Sequence, residues 1–266
     1  MNEEENHAKL GEYTSLEMMA VCGARNIKNG EIVFVGTGLP MLAAMLAKRT
    51  HAPKAKIVYE AGFIDSNAVD LSLSIADSRL AYNAAAAIGL IETLGILLQG
   101  GRIDVGFVGA AQIDEYGNIN TTYIGDFENP IVRLPGSGGG NDIVSSAKRI
   151  VIIMTHQKRK FVKKLHYLTS PGHLDGPEAR KREGLLGGGP SLVITNLCQM
   201  GFDEETKRVK LLTVHPGVTV EQVLENVGFD LIVPEHVPQT EPPTYKELEI
   251  LRAIDPQRLY LGKEKK

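Results

Sequence analysis

Short apolar runs without polar interruption recur along this chain, each closed by glycine, proline or a polar residue. Residues 32–35, 105–108 and 150–154 are of this kind. A run without polar–apolar alternation marks a strand buried on both faces, as in the interior of a parallel sheet. Ile57-Val58-Tyr59-Glu60-Ala61-Gly62 adds a fourth run, ending on an acid. Helical patterns separate the first of them. Thr14-Ser15-Leu16-Glu17 is a capping box opening a helix to about residue 27, with Asn29-Gly30 as its stop. Gly36-Thr37-Gly38-Leu39-Pro40 leads into a helix over 41–49, where proline near the start is expected. Helix, strand, helix, strand is the βαβ rhythm of a parallel sheet.

Further along, residues 80–99 are rich in Ala and Leu and predict a buried helix, interrupted at Gly89 and Gly95. Asp114-Glu115-Tyr116-Gly117-Asn118 is a tight turn by composition. A strand over 118–124, a long loop over 125–135 and a helical turn over 143–147 follow. Residues 155–190 are irregular, and strands are expected at 191–195, 208–214 and 229–233. Between the last two, Thr219-Val220-Glu221-Gln222 is a second capping box, and Val220, Val223, Leu224 and Val227 form one apolar helix face closed by Gly228. A Pro-rich linker at 234–243 leads to a terminal helix over 245–254. There is no internal repeat.

The chain has 266 residues, enough for one large α/β domain or two small ones. A formal charge of -3 suggests neither a nucleic-acid nor a membrane-surface partner. No apolar run reaches 18 residues and the first nine are polar and acidic, so neither a signal peptide nor a membrane anchor is expected. Two cysteines, Cys22 and Cys198, form no CxxC and read as reduced, buried bystanders in a cytoplasmic protein.

Three places carry candidate chemistry. Glu60 closes a strand, and strand ends at the carboxyl edge of an α/β sheet are where ligands bind. A carboxylate is a poor nucleophile in water but becomes effective when partly desolvated against an activated acyl group. Gly36-Thr37-Gly38 invites a dinucleotide-binding reading, with Glu60 as the ribose acid. That fingerprint fails, because Met41 stands where a small third residue is needed and Pro40 removes a backbone donor. Gly136-Ser137-Gly138-Gly139-Gly140 permits backbone conformations that aim successive N–H groups at one point. Such a nest serves a phosphate or an oxyanion; the same composition also suits a flexible surface loop. His156, His166, His173 and His215 lack metal-ligand spacing, and no GxSxG elbow occurs. The basic run Lys158, Arg159, Lys160, Lys163, Lys164 reads as a solvated face, or as a contact for the phosphates of a nucleotide-bearing substrate.

GTGLP, EAG, GAAQIDEYGNINTTYIGD, GSGGGND, KRKF, YLTSPGHLDGP and VLENVGFDL occur in that order. Together they resemble the β-subunits of family I coenzyme A transferases, of the glutaconate CoA-transferase type, over residues 13–254. The resemblance implies a single α/β domain with an open, mostly parallel sheet flanked by helices. It implies CoA transfer by a ping-pong route in which Glu60 is the nucleophile and passes through a mixed anhydride to a glutamyl–CoA thioester. Gly138 and Gly139 match the loop that stabilises the oxyanion, and Gly36, Thr37 and Gly38 would lie beside the reacting carbonyl. No metal or dissociable cofactor is implied, since the CoA thioester is itself the substrate. A homologous α-subunit would complete the site in an (αβ)n assembly and supply most of the acyl pocket, with a dicarboxylate such as glutaconate as the first guess for the acid. The same fold also carries acyl-CoA decarboxylases and hydrolases of a carbon–carbon bond in ring-bearing CoA thioesters. Glutamate at 60 favours transfer, although a carboxylate there also suits a general base.

Overall fold

The computed structural model describes residues 6–66 and 71–262; the acidic stretch at 1–5 lies outside them. The N-terminal half begins with helix α1 (Ser15–Arg25), strand β1 (Ile32–Val35), helix α2 (Leu39–Arg49) and strand β2 (Lys56–Tyr59). Short strands β3 (Phe63–Ile64) and β4 (Ala86–Ala87) follow, then β5 (Val105–Val108), β6 (Gln112–Ile113), β7 (Ile119–Asn120), β8 (Tyr123–Gly125) and β9 (Pro130–Arg133). The second half holds α3 (Gly140–Ser146), β10 (Arg149–Ile153), α4 (Ala179–Arg182), β11 (Pro190–Ile194), β12 (Cys198–Phe202), β13 (Val209–Val214), α5 (Val220–Glu225) and α6 (Tyr245–Ile254).

Nine strands form one sheet in the order β13-β12-β11-β10-β5-β1-β2-β3-β4. Its centre, from β11 to β2, is parallel, and both flanks are antiparallel. Successive strand residues face opposite layers. Val33, Val35, Ile57, Tyr59, Val105 and Phe107 pack with α1, α2 and α6 in one cluster. Phe34, Val58, Val108, Ile150 and Ile152 pack in the other, with α3 and α5. Burial on both faces is why these strands read as unbroken apolar runs, and each fully buried Val, Ile or Phe is worth about 1.5–3 kcal/mol.

The capping boxes at Thr14 and Thr219 form, and Thr244 with Glu247 makes a third ahead of α6. Glu17, fully buried, accepts from Arg252 Nε at 2.8 Å and from Arg258 Nη1 at 3.3 Å. Arg25 grips Glu247 with two hydrogen bonds of 2.9 and 2.7 Å. These charged clasps bind the C-terminal segment to α1.

Three expectations are corrected. Residues 80–99 are not one buried helix: a 3₁₀ turn (Ser78–Ala81), β4 and a π-wound helix (Glu92–Gln99) share the segment. Its apolar side chains largely face outward, Ile91 being 82% exposed. A local Ala/Leu pattern cannot distinguish a buried helix from a face left uncovered by its own chain. The 125–135 loop contains β9, hairpinned to β8. Residues 229–233 contribute only an isolated bridge from Ile232 to Lys210, while the antiparallel neighbour of β11 is β12, which polar Gln199 and Gly201 disguised. No helix among the described residues is long and apolar enough to cross a membrane.

Three of the histidines are core groups. His156 stacks on Phe161 with centroids 4.4 Å apart and donates from Nε2 to the Val223 carbonyl at 3.2 Å. His173 donates from Nε2 to the Pro190 carbonyl and His215 to the Thr195 carbonyl, both at 2.8 Å. Burial pushes His156 and His173 down to about 4 and lowers His215. In the unfolded chain these rings titrate at about 6.5. The folded state therefore has its full stability above that pH and loses it as pH falls from 6.5 towards 4. His156 and His173 should each contribute about 3 kcal/mol to that loss. Denaturant midpoints should drop steadily between pH 6.5 and 4.5; a flat profile there would contradict the neutral, buried assignment.

Candidate active site

In parallel strands all carboxyl ends lie at one edge of the sheet. β1 runs there into Gly36, β2 into Glu60 and β5 into Gly109. Glu60 is half-buried, and the turn after it is tight. The Gly62 N–H donates to the Tyr59 carbonyl at 2.9 Å, with Gly62 at φ +97°. A Cβ on Gly62 would sit 1.9 Å from the Ile88 carbonyl oxygen, so only glycine fits.

The glycine-rich loop meets Glu60 from the other half of the sheet. Gly136 and Gly138 adopt positive φ, at 93° and 49°. The Gly136 N–H donates to the Thr121 carbonyl, and the Thr121 hydroxyl donates back to the Gly136 carbonyl, both at 2.8 Å. Asn141 Nδ2 donates to the Thr169 carbonyl at 2.8 Å, and its N–H donates to Ser137 Oγ at 3.1 Å. The loop is thus laced to the β7–β8 segment and to residue 169 rather than free. At its end the Gly139 N–H donates to Glu60 Oε1 at 3.1 Å. A Cβ on Gly139 would lie 3.0 Å from the Glu60 carboxyl carbon, so the backbone approaches this acid as closely as a side chain would.

Arg180 braces the end of α3 from behind. It is buried and donates from all three guanidinium nitrogens to the carbonyls of Gly187, Pro171, Gly172, Val144 and Ser145, at 2.8–3.1 Å. Burial without an acidic partner lowers its pKa to about 10. The residue ties the end of α3 to the 171–172 and 187 loops, and nothing local in the sequence announced it.

Between these parts lies a cavity of about 500 Å3. Phe34, Phe107, Ile119 and Ile143 give it apolar walls, and among the described residues Glu60 and Lys160 are the ionisable side chains that border it. Gly36 lines it too, as does Gly136. Thr37 and Gly38 do not: Gly38 caps α2, and both sit beside Tyr260. Gly138 serves the turn, and its neighbour Gly139 makes the contact with Glu60. Of the basic run, Lys158, Arg159, Lys163 and Lys164 are exposed, as a solvated face would be. Lys160 differs. It precedes the fully buried Phe161, and its Nζ donates to Thr155 Oγ1 at 2.6 Å. Among the described residues no cluster of three or more His, Cys, Asp or Glu offers a metal site.

Known proteins share this fold. Residues 16–226 match the coenzyme A transferase family. A subunit of the 3-oxoadipate CoA-transferase of Pseudomonas knackmussii is 48% identical over 92% of this chain and 95% of its own. The corresponding subunit of the glutaconate CoA-transferase of Acidaminococcus fermentans is 42% identical over 94% and 95%. The crystal structure of that glutaconate CoA-transferase superposes with a TM-score of 0.89 at 40% identity, covering 95% of this chain and 99% of the other. A cholesterol ring-cleaving hydrolase IpdB subunit of Rhodococcus jostii is more distant, at 26% identity over 83% of each chain. The fold, an open sheet with a parallel centre between helical layers, and the match along most of the chain lead to one conclusion: this protein is a member of the coenzyme A transferase family.

Proposed function

We propose that this chain is the β-type, glutamate-bearing subunit of a heteromeric CoA-transferase, and that Glu60 carries CoA as a covalent thioester. One observation carries the reading: the Glu60 carboxylate is held by the Gly139 N–H at the border of an apolar cavity on the carboxyl edge of the sheet. There, one carboxylate oxygen attacks the thioester carbonyl, the C–S bond breaks, and a mixed anhydride forms as CoA leaves as thiolate. The thiolate then attacks the glutamyl carbonyl, releasing the first acid and leaving a glutamyl–CoA thioester. An acceptor carboxylate reverses both steps, so no net proton or electron is consumed. A thioester exchanged for a thioester conserves acyl activation, and neither metal nor dissociable cofactor is called for.

The Gly139 N–H has a defined part in this route. In the resting site it fixes Oε1 and leaves the other oxygen to attack. When the thiolate adds to the glutamyl carbonyl, negative charge develops on the same Oε1, already 3.1 Å from the donor. Gly36 lines the cavity beside Glu60, whereas Thr37 and Gly38 shape the start of α2.

A homologous α-type partner completes the enzyme in this reading. Both CoA-transferase relatives are themselves subunits of larger enzymes, which supports it. So do the apolar side chains left open at Ile91, Ile96 and Ile131, which are 82, 59 and 81% exposed. The relatives' names point to dicarboxylic acyl groups as substrates. Both cysteines are free and buried, which suits a cytoplasmic enzyme.

Three measurements test the proposal. The complex incubated with acyl-CoA and no acceptor, then treated with borohydride, should show its mass change on the peptide holding Glu60; product formation with that peptide unmodified would rule out the covalent route. Turnover should require an acceptor such as acetate, whereas acceptor-free turnover would indicate the hydrolase or decarboxylase chemistry also found on this fold. Gly139→Ala, at a φ of -76° that accepts a side chain, should keep the fold and press its methyl on Glu60. Its kcat should fall about ten- to hundred-fold at an unaltered melting temperature; wild-type kcat would place the reacting oxygen elsewhere.

A further inference from the structure

Lys160 is an ammonium group on the wall of an otherwise mostly apolar cavity, and among the described residues it makes no ion pair. Lys48 and Lys56 pair with Asp65, and Lys148 pairs with Asp104 at 2.7 Å. Lys160 has the Thr155 hydroxyl, which uses one of its three donors. Partial burial, with Arg159 nearby, lowers its pKa. A partly desolvated cation without an ion-pair partner is an unfavourable arrangement unless an anion arrives to offset it.

The residue is also firmly rooted. Its carbonyl accepts from the Ile113 N–H and its N–H donates to the Gln157 carbonyl, both at 2.8 Å. Val162 N–H returns to the Ile113 carbonyl at 2.9 Å, and Phe161 between them is fully buried. The stem of Lys160 therefore leaves a fixed backbone point, as a recognition group requires.

Two anions reach a CoA-transferase site: CoA phosphates and the carboxylate of an acid. Phosphates are matched by solvated, multiple cations, and those of this run are the exposed Lys158, Arg159, Lys163 and Lys164. A lone ammonium on the wall of an apolar cavity shared with Glu60 matches the far end of a short acyl chain. Glu60 and Lys160 do not pair with each other, so each is left for a different end of one substrate.

Resting on the CoA-transfer reading, we infer that Lys160 is the subsite for the distal carboxylate of a dicarboxylic acyl group, whose proximal carbonyl lies at Glu60. Part of the acyl pocket then belongs to this chain and not to its partner. Recognition by one charge-assisted hydrogen bond discriminates strongly, because the same ammonium is left unpaired by an acid lacking the second carboxylate.

The test uses the complex with its α-type partner, acetyl-CoA as donor, and two acceptor pairs: glutarate against pentanoate, and adipate against hexanoate. The readout is the ratio of kcat/KM for the dicarboxylate to that for its monocarboxylate. Lys160→Met should lower this ratio by about 100-fold in at least one pair, and Lys160→Arg, which keeps the charge, should restore most of it. Equal losses for both acids, leaving the ratio as in the wild type, would make Lys160 a contact for CoA or for the fold and overturn the inference. So would an unaltered ratio with no loss at all. A wild-type complex that moves CoA to neither class of acid would instead sink the transfer reading itself.

Discussion

Parallel pairing of β1 with β2 and β5, and of β5 with β10, is the constraint on which the rest of this molecule depends. Parallel strands cannot be joined by tight turns, so helices and long excursions must carry the chain back, and every strand ends at the same edge. That edge collects Gly36, Glu60 and the Gly109 turn from segments far apart in sequence. Burial on both faces makes the arrangement stable, and it also makes the edge the only part of these strands free to do chemistry. The antiparallel strands on either flank close the sheet without altering that geometry.

What engages the strand-end acid is backbone rather than side chain. The Gly139 N–H reaches the Glu60 carboxylate where a side chain at 139 would crowd it, and Gly62, just after Glu60, lets the Ile88 carbonyl close on the turn. The loop bearing Gly139 is kept in place by Thr121 and Asn141, and the end of α3 behind it by Arg180. Arg180 is a buried cation satisfied wholly by carbonyl dipoles, an arrangement that costs desolvation and yields a fixed wall instead of stability alone. A buried charge with every guanidinium nitrogen engaged is a demanding way to join the end of α3 to two loops, and it leaves little freedom for the segments it holds.

The opposite tendency shows at the β4 side of the sheet. Residues 84–96 carry alanines, leucines and isoleucines that this chain does not cover, and the β8–β9 hairpin exposes Ile131 likewise. A helix wound as π along Glu92–Gln99 buries Leu98 but turns Ile96 outward. Such surfaces suit a protein that works against a partner, while Glu60 and Lys160 border a cavity within this chain itself.

Much of this was legible in the sequence. Unbroken apolar runs marked the central strands, because burial on both faces removes alternation, and capping boxes marked α1 and α5 through purely local hydrogen bonds. The glycines of the 136–140 loop declared their backbone freedom. Local signals stop where contacts are long-range. Alanine and leucine at 80–99 read as a buried helix, since apolar character does not say whether the cover is the same chain or another. Strand β12 hid behind Gln199 and Gly201, because pairing with β11 and β13, not local propensity, makes it a strand. Likewise Lys160 could not be separated from its exposed neighbours, nor Arg180 from a surface arginine, by residue type. Sequence alone determined the central strands, the caps and the glutamate at a strand end. Only the tertiary structure decided which backbone donor meets that glutamate and which single lysine shares its cavity, because both depend on chain segments that meet through the sheet.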